Sequence, residues 1–375
     1  MLAINGGKVH TGTGTVIDKA TVLIDNNKIV AVGKGIAIPD GCQVIDVTDK
    51  IVTPGFIDAH CHVGIYEEGC QNAGDDANET TDPVTPHLRA LDGINPEDQG
   101  FKDALAGGVT SVVVAPGSAN ILGGEMVALK THGHVVDQMV IKGPVGMKAA
   151  LGENPKRIYG GEKKTPTTRM ANAALLRQSL IEANNYINQA SRERNLKLEA
   201  LVPVITGDLP LRVHAHRADD IMTAVRIAEE FNIKIVIEHA TEGYKVADIL
   251  AAKNIPVIIG PVISTRSKVE LLGIAMENAA KLYQAGVKFA IMTDHPEVPV
   301  QYLPLSAALT SRGGLPEEEV LKAITLYPAE ILGLEEHIGT IEVGKDADIV
   351  ILNRSFFDVR CRVEQVLING DIIFS

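Results

Sequence analysis

The stretch GFIDAHCHVG at 55–64 begins as an apolar β-run and ends on two histidines, His60 and His62. Residues i and i+2 of a strand point to one face, so both imidazoles leave the strand on the same side. Two imidazoles so placed can share one divalent ion. Alone, the pair is a weak signal, because unrelated polar residues leaving a strand look the same. Three further stretches repeat the arrangement. LRVHAHRAD places His214 and His216 at the end of an apolar run, KIVIEHATE places His239, and KFAIMTDHP places Asp294. In a barrel of parallel strands all strand C-termini open on one face, where catalysis sits. Four β-runs that finish in metal-ligating residue types therefore point to a shared metal site.

The rest of the chain is read around these runs. Strand candidates at 55–59, 110–115, 211–214, 234–238, 255–259 and 288–292 alternate with helical stretches at 219–232, 246–254 and 269–285, whose apolar residues recur at helical spacing. Repeated β-α-β implies a parallel sheet, and the expected fold is α/β, a TIM-type (β/α)₈ barrel. Two more strands must come from 116–165. The candidates there are 135–141 and 145–151, which lie too close together for a helical crossover. Residues 66–100 read as a long irregular excursion, of the kind that is often functional. Gly107-Gly108 and Gly123-Gly124 read as turns. Both chain ends are β-rich, which predicts one composite β-sandwich from 1–52 and 340–375 beside a barrel spanning 53–339.

Composition narrows the classes. Hydrophobic residues make up 45% of 375, enough for a large core, and aromatics only 4%, so that core is aliphatic. The formal charge is −12 and no basic stripe is present, which argues against a nucleic-acid partner. Cys42, Cys61, Cys70 and Cys361 show no CxxC spacing, so a disulfide framework is not expected and a reducing, cytoplasmic setting fits. No secretory signal and no membrane-length apolar window is read. The partner expected is a small-molecule substrate, and a homo-oligomer is left open.

PGFIDAHCH, the GVTSV run at 108–112 and the terminal PAEILGLEEHIGTIEVGKDADIVIL together resemble the amidohydrolase superfamily of metal-dependent hydrolases over nearly the whole chain. The branch they are most similar to is the imidazolonepropionase-like and prolidase-like one. The resemblance implies one or two divalent ions, zinc foremost, with iron, manganese and nickel also suited. It implies ligands at His60, His62, His214, His239 and Asp294, with Asp294 also the proton shuttle. Lys148, in VGMKAAL, resembles a lysine that carries a carbamate between two metals; Glu153, Glu125, Lys142 and a one-metal site are the alternatives. His216 is assigned to substrate or to completing the ligand shell. Glu242 and His295 are candidates for orienting ligands, and Arg157, Arg169, Arg217 and Arg266 for clamping a substrate carboxylate. The implied reaction is hydrolysis of a C–N bond. A deaminase is disfavoured because Arg217 and Asp219-Asp220, not a glutamate, follow the fifth-strand histidines. A non-catalytic scaffold relative is disfavoured because every ligand type is present. Specificity is expected in the segments 66–100, 151–170 and 260–270.

Overall fold

The computed structural model describes residues 1–189, 191 and 193–375. Strands β1 (Leu2–His10), β2 (Val16–Asp25), β3 (Lys28–Lys34), β4 (Gln43–Asp46) and β5 (Ile51–Pro54) precede the barrel. The barrel strands are β6 (Phe56–Cys61), β7 (Val109–Val114), β8 (Leu122–Lys130), β9 (Val140–Ala150), β10 (Leu211–Ala215), β11 (Ile235–His239), β12 (Val257–Ile259) and β13 (Phe289–Ile291). They form one sheet in the order β13-β12-β11-β10-β9-β8-β7-β6. The edges β6 and β13 share no strand ladder among the described residues. Two backbone bonds close the gap: Asp294 N–H donates to His60 O at 3.2 Å and His62 N–H to His295 O at 3.0 Å. The result is a nearly closed TIM-type barrel.

One strand departs from the expected pattern. β8 runs antiparallel to both β7 and β9, while the other barrel pairings are parallel. The sequence expectation of strands at 135–141 and 145–151 is thus corrected. Val136–Met139 is a short helix, and β9 takes up 140–150 as one long strand. The missing strand contains Gly123-Gly124, read from sequence as a turn. Gly124 has φ +130, and a Cβ there would lie 2.4 Å from Leu88 O. Glycine in a strand commonly marks such a close backbone approach. The approach is from the 66–98 excursion, which lies on β8: Thr85 N–H donates to Leu122 O (2.8 Å) and Glu125 N–H to Leu88 O (2.8 Å).

Two other expectations change. The helix expected over 269–285 is broken into a 3₁₀ turn, Val269–Leu271, and a helix, Asn278–Gln284, with Gly273 between them, where a Cβ would lie 2.6 Å from Glu242 Cγ. The segment 151–170 is not all loop, since Glu153–Gly161 is helical. A further helix spans Leu326–Leu332. It ends on Gly333 at φ +64, the left-handed conformation glycine adopts without cost.

Strands β14 (Ile349–Leu352), β15 (Val363–Ile368) and β16 (Asp371–Phe374) return to the N-terminal strands. The ends share one sheet, β16-β15-β14-β5-β1-β2-β3, with β4 paired to β1. Ile4, Val22, Val52, Ile349, Ile351 and Leu367, from both ends, belong to one buried cluster. Lys130, at the far end of β8, reaches this unit by ion-pairing with Asp348 and Asp346.

Gly124→Ala should report on the unusual strand. The substitution adds both unfavourable φ and a clash with backbone, so a loss of roughly 1–3 kcal/mol is expected. It is read as a lower denaturant midpoint with unchanged slope. An unchanged midpoint would mean that β8 does not press on residues 85–89.

Candidate metal centre

Every histidine and carboxylate of the candidate centre stands at the C-terminal end of a parallel barrel strand. His60 lies in β6 and His62 just past it. Lys148 lies near the end of β9, His214 in β10, His239 at the end of β11, and Asp294 three residues past β13. Cross-strand register decides which side chains share a face. Lys148 is opposite Arg212, and His214 is opposite Glu238. The face of His214 therefore belongs to Glu238, and simple alternation would turn His239 away. His239 has φ +69 instead, followed by Ala240 at φ +42, and its ring centroid comes to 4.1 Å from that of His214. Asp294 has φ +56. Such backbone costs on the order of 1–3 kcal/mol per residue and persists where surrounding bonds over-determine it. Here Ala240 N–H donates to Ala215 O (3.0 Å) and Asp294 N–H to His60 O.

Two overlapping donor groups result. His60, His239 and Asp294 offer ligand atoms within 4.8 Å of one another, and so do His214, His216 and His239. His62 joins the first group: His60 Nε2 and His62 Nε2 each lie 3.4 Å from Asp294 Oδ1. The far nitrogens are anchored. His62 Nδ1 lies 2.7 Å from Ala115 O, His239 Nδ1 3.0 Å from Gly260 O, and His216 Nδ1 2.7 Å from Thr241 Oγ1. A carbonyl accepts only, so the first two rings are protonated on Nδ1 and keep an Nε2 lone pair for a ligand. Both His214 nitrogens are buried and without a hydrogen-bond partner among the described residues. A buried imidazole in that state is what a metal would satisfy.

Electrostatics agrees with a site for a cation. Burial, reinforced by the neighbouring histidines, holds His214 well below the usual imidazole range; burial and then His239 do the same to His216. Burial lowers His239 to about 3. All three are neutral and carry lone pairs. Asp294 stays ionised: His239, His60 and His62 overcome the burial that opposes it. These residues fit one or two divalent ions of borderline softness.

Lys148 is fully buried, with Nζ 3.2 Å from His60 Nε2 and 3.1 Å from Glu238 Oε2. Burial lowers its pKa, and Glu238 and Asp294 oppose that shift. The other candidates for its role are elsewhere. Lys142 Nζ binds Leu332 O at the opposite end of β9, Glu125 is half-buried on β8, and Glu153 opens a helix. Glu242 accepts from Ala218 N–H and pairs with Lys245. His295 is buried; its Nδ1 accepts from Val300 N–H. Arg169 pairs with Asp220 and Arg217 with Asp219, while Arg157 and Arg266 are exposed. Cys61 is buried and Cys70 exposed.

Three residues of the centre escape the sequence reading. Glu238 was passed over beside His239, and Arg212 was counted within an apolar run. The two form a buried pair, Arg212 Nη2 to Glu238 Oε1, 2.6 Å. Asp58 accepts from Thr293 N–H and Oγ1–H across the barrel seam, and burial pushes its carboxyl up to about 7. A usable signal exists for all three: charged residues interrupting apolar strands two positions or one position ahead of a histidine.

The neutral histidines predict a pH dependence of the chelator-treated protein. Unfolded histidine titrates near 6.5, whereas folded His214 does not take up its proton in that range. Its contribution is present above pH 6.5 and is lost as pH falls below it, at about 1.4 kcal/mol per pH unit for one proton. Asp58 acts in the opposite sense between about 7 and its unfolded value. His214→Asn removes one titrating group, so stability plotted against pH from 6.5 to 5 should change slope by about one proton. An identical slope in variant and parent would show that His214 is not held neutral.

The comparisons agree with this geometry. The Amidohydrolase family model matches residues 51–373. An amidohydrolase of Thermotoga maritima MSB8, known from a crystal structure, is 45% identical, with each chain fully covered and a TM-score of 0.97. The amidohydrolase tasK of Hapsidospora irregularis is 29% identical over 90% of this chain, which spans 38% of that protein's length. An imidazolonepropionase of Fusobacterium nucleatum is 26% identical, with 88% of this chain and 84% of that protein covered. A prolidase solved with N-methylphosphonate-L-proline shares the fold at 20% identity and a TM-score of 0.65, with 100% of this chain and 99% of that one covered. With the family model matching nearly all of the barrel and the returning C-terminal strands, this chain belongs to the amidohydrolase family.

Proposed function

We propose that the protein is a metal-dependent hydrolase of C–N bonds in an amide, cyclic amide or dipeptide-like substrate. The carrying observation is the convergence of His60 Nε2 and His62 Nε2 on one oxygen of Asp294, beside the second group His214, His216 and His239. His60, His62 and Asp294 would hold one divalent ion, zinc foremost, and His214 and His239 a second, with His216 facing substrate or completing that shell. When bound, such an ion supplies Lewis acidity, polarising a carbonyl and making water more acidic.

The chain's own residues supply the rest. Asp294, ionised at neutral pH, accepts the proton that attacking water loses and returns it to the leaving nitrogen, so the C–N bond breaks to give a carboxylate and an amine. The neutral histidines cannot compete for that proton, because burial keeps them well below neutrality. Lys148 is the candidate bridge: its amine would add to carbon dioxide, forming an N–C bond and releasing a proton. Burial favours the neutral amine this step needs, and Glu238 at 3.1 Å works against it. The shared sheet of the chain ends we take as a small sandwich domain, 1–52 with 340–375, that supports a catalytic barrel over 53–339. The cysteine usage favours a cytoplasmic enzyme, and no described helix is long and apolar enough to cross a membrane.

Elemental analysis of the purified protein should find one or two divalent ions per chain. His60→Ala combined with His62→Ala should remove at least one, and unchanged metal content would refute the assignment of the first group. A screen over amides, dipeptides and lactams then supplies a substrate for the decisive variant. Asp294→Asn keeps size and most of the metal contact but cannot carry the proton. Turnover should fall about 10²–10⁴-fold with little change in substrate binding, and wild-type turnover would rule out Asp294 as the shuttle.

A further inference from the structure

Between β12 and the helix Asn278–Gln284 the chain passes over the second donor group as residues 261–277. Both ends of this segment are pinned. Gly260 O lies 3.0 Å from His239 Nδ1, and Asn278 donates from Nδ2 to Ala240 O (2.9 Å) while its Oδ1 accepts from Tyr244 N–H (3.0 Å). The middle is loose. Among the described residues, the backbone hydrogen bonds of 261–274 stay inside the segment: Leu271 N–H to Lys268 O, Leu272 N–H to Val269 O and Ile274 N–H to Leu271 O. Glu270 and Leu271 are its buried side chains, whereas Ile263, Val269, Leu272 and Met276 are exposed. A stretch with few buried apolar contacts and no outside backbone bonds opens at low free-energy cost.

One side chain ties the middle down. Glu270 is 1% exposed, and its Oε2 accepts from Glu153 N–H at 3.0 Å, at the start of the helix Glu153–Gly161. Gly152 makes the slot for it: the residue has φ +83, and a Cβ there would lie 2.9 Å from Glu270 Oε2. Glu270 Oε1 is buried without a hydrogen-bond partner among the described residues and lies 3.7 Å from His216 Nε2. What lies beneath is closed. His214 is 2% exposed, and His216 and His239 are each 3% exposed. The space left between His239 and Thr241 below and Val262, Ile274 and Met276 above is about 30 Å³. That holds about one water, whereas a small-molecule site takes roughly 300–1,000 Å³. Water can replace the single bond that holds the cover, so lifting it costs little.

We infer that residues 261–277 are a flap over His214, His216 and His239, that Glu270 is its latch, and that the flap lifts before a substrate reaches this donor group. The inference rests on the hydrolase reading for its purpose, but not for its test. Diethyl pyrocarbonate labelling of chelator-treated protein, read residue by residue by mass spectrometry, reports how often each imidazole is uncovered. In wild type His216 and His239 should react far more slowly than exposed His132. Glu270→Ala frees the flap and should speed both on the order of 10-fold, the effect of losing one hydrogen bond. Glu270→Gln keeps an acceptor for Glu153 N–H and should react like wild type. His10, in β1, should react alike in all three proteins. Four results would overturn the inference: His216 as fast as His132 in wild type, wild-type rates in Glu270→Ala, Glu270→Gln as fast as Glu270→Ala, or an equal rise at His10, which reports general loosening. Uptake of Zn²⁺ and its removal by chelator should both quicken in Glu270→Ala with affinity nearly unchanged. Weaker Zn²⁺ binding at unaltered labelling would make Glu270 a ligand and not a latch. The expected labelling in a protein that binds no Zn²⁺ and hydrolyses no amide would support the flap and defeat the hydrolase reading instead.

Discussion

The centre depends on how the barrel closes. Without a ladder between β6 and β13 among the described residues, the first and last strands are joined where the clustered histidines and Asp294 stand: Asp294 N–H to His60 O, and His62 N–H to His295 O. Asp58 adds a side-chain stitch to Thr293. Closure and ligand geometry are therefore one event. The same backbone atoms that complete the cylinder bring two imidazoles within 3.4 Å of a carboxylate oxygen and hold Asp294 in a left-handed conformation that aspartate tolerates better than most residues. A change that loosens this seam would move the ligands before it unfolded the barrel.

Above the seam, low dielectric sets the protonation states. Burial alone disfavours charge of either sign, which is why His214, His216 and His239 are neutral. Asp294 escapes because several imidazoles face it, and Glu238 escapes because Arg212 does. Asp58, with hydrogen bonds but no cation beside it, does not: its carboxyl rises to about 7. Three buried carboxylates thus hold different states, decided by what each one touches rather than by depth.

The clustering of the His and Asp strand ends was legible because a barrel places every strand C-terminus on one face, so these endings could be read without knowing the strand order. Glu238 and Arg212 were not, because their meaning lies in cross-strand register: only pairing shows that Glu238, not His239, sits opposite His214, and that a positive φ brings His239 back. β8 was missed because Gly123-Gly124 and Glu125 look like a turn unless one knows that the 85–89 segment presses against them.

That reversed strand also shapes the mouth. Because β8 runs antiparallel, its first residues, not its last, lie level with the ligands: Leu122 pairs with Ala149 and Gly124 with Lys148. The chain turns directly from β7 into β8, so no helical crossover covers this side of the barrel. The 66–98 excursion fills the place, bridging Val84 to Leu122 and Arg89 to Glu125. A cleft lined by Asp75, Asn78, His87, Arg89 and Gly123 opens there. A Cβ at Gly123 would lie 3.3 Å from Lys148 Cγ, so the glycine lets β8 pack closely against the stem of the lysine. The polar residues that line this side of the barrel mouth therefore come from a loop that follows β6 in sequence but stands over β8 in space. Its composition can vary without disturbing the seam that holds the ligands.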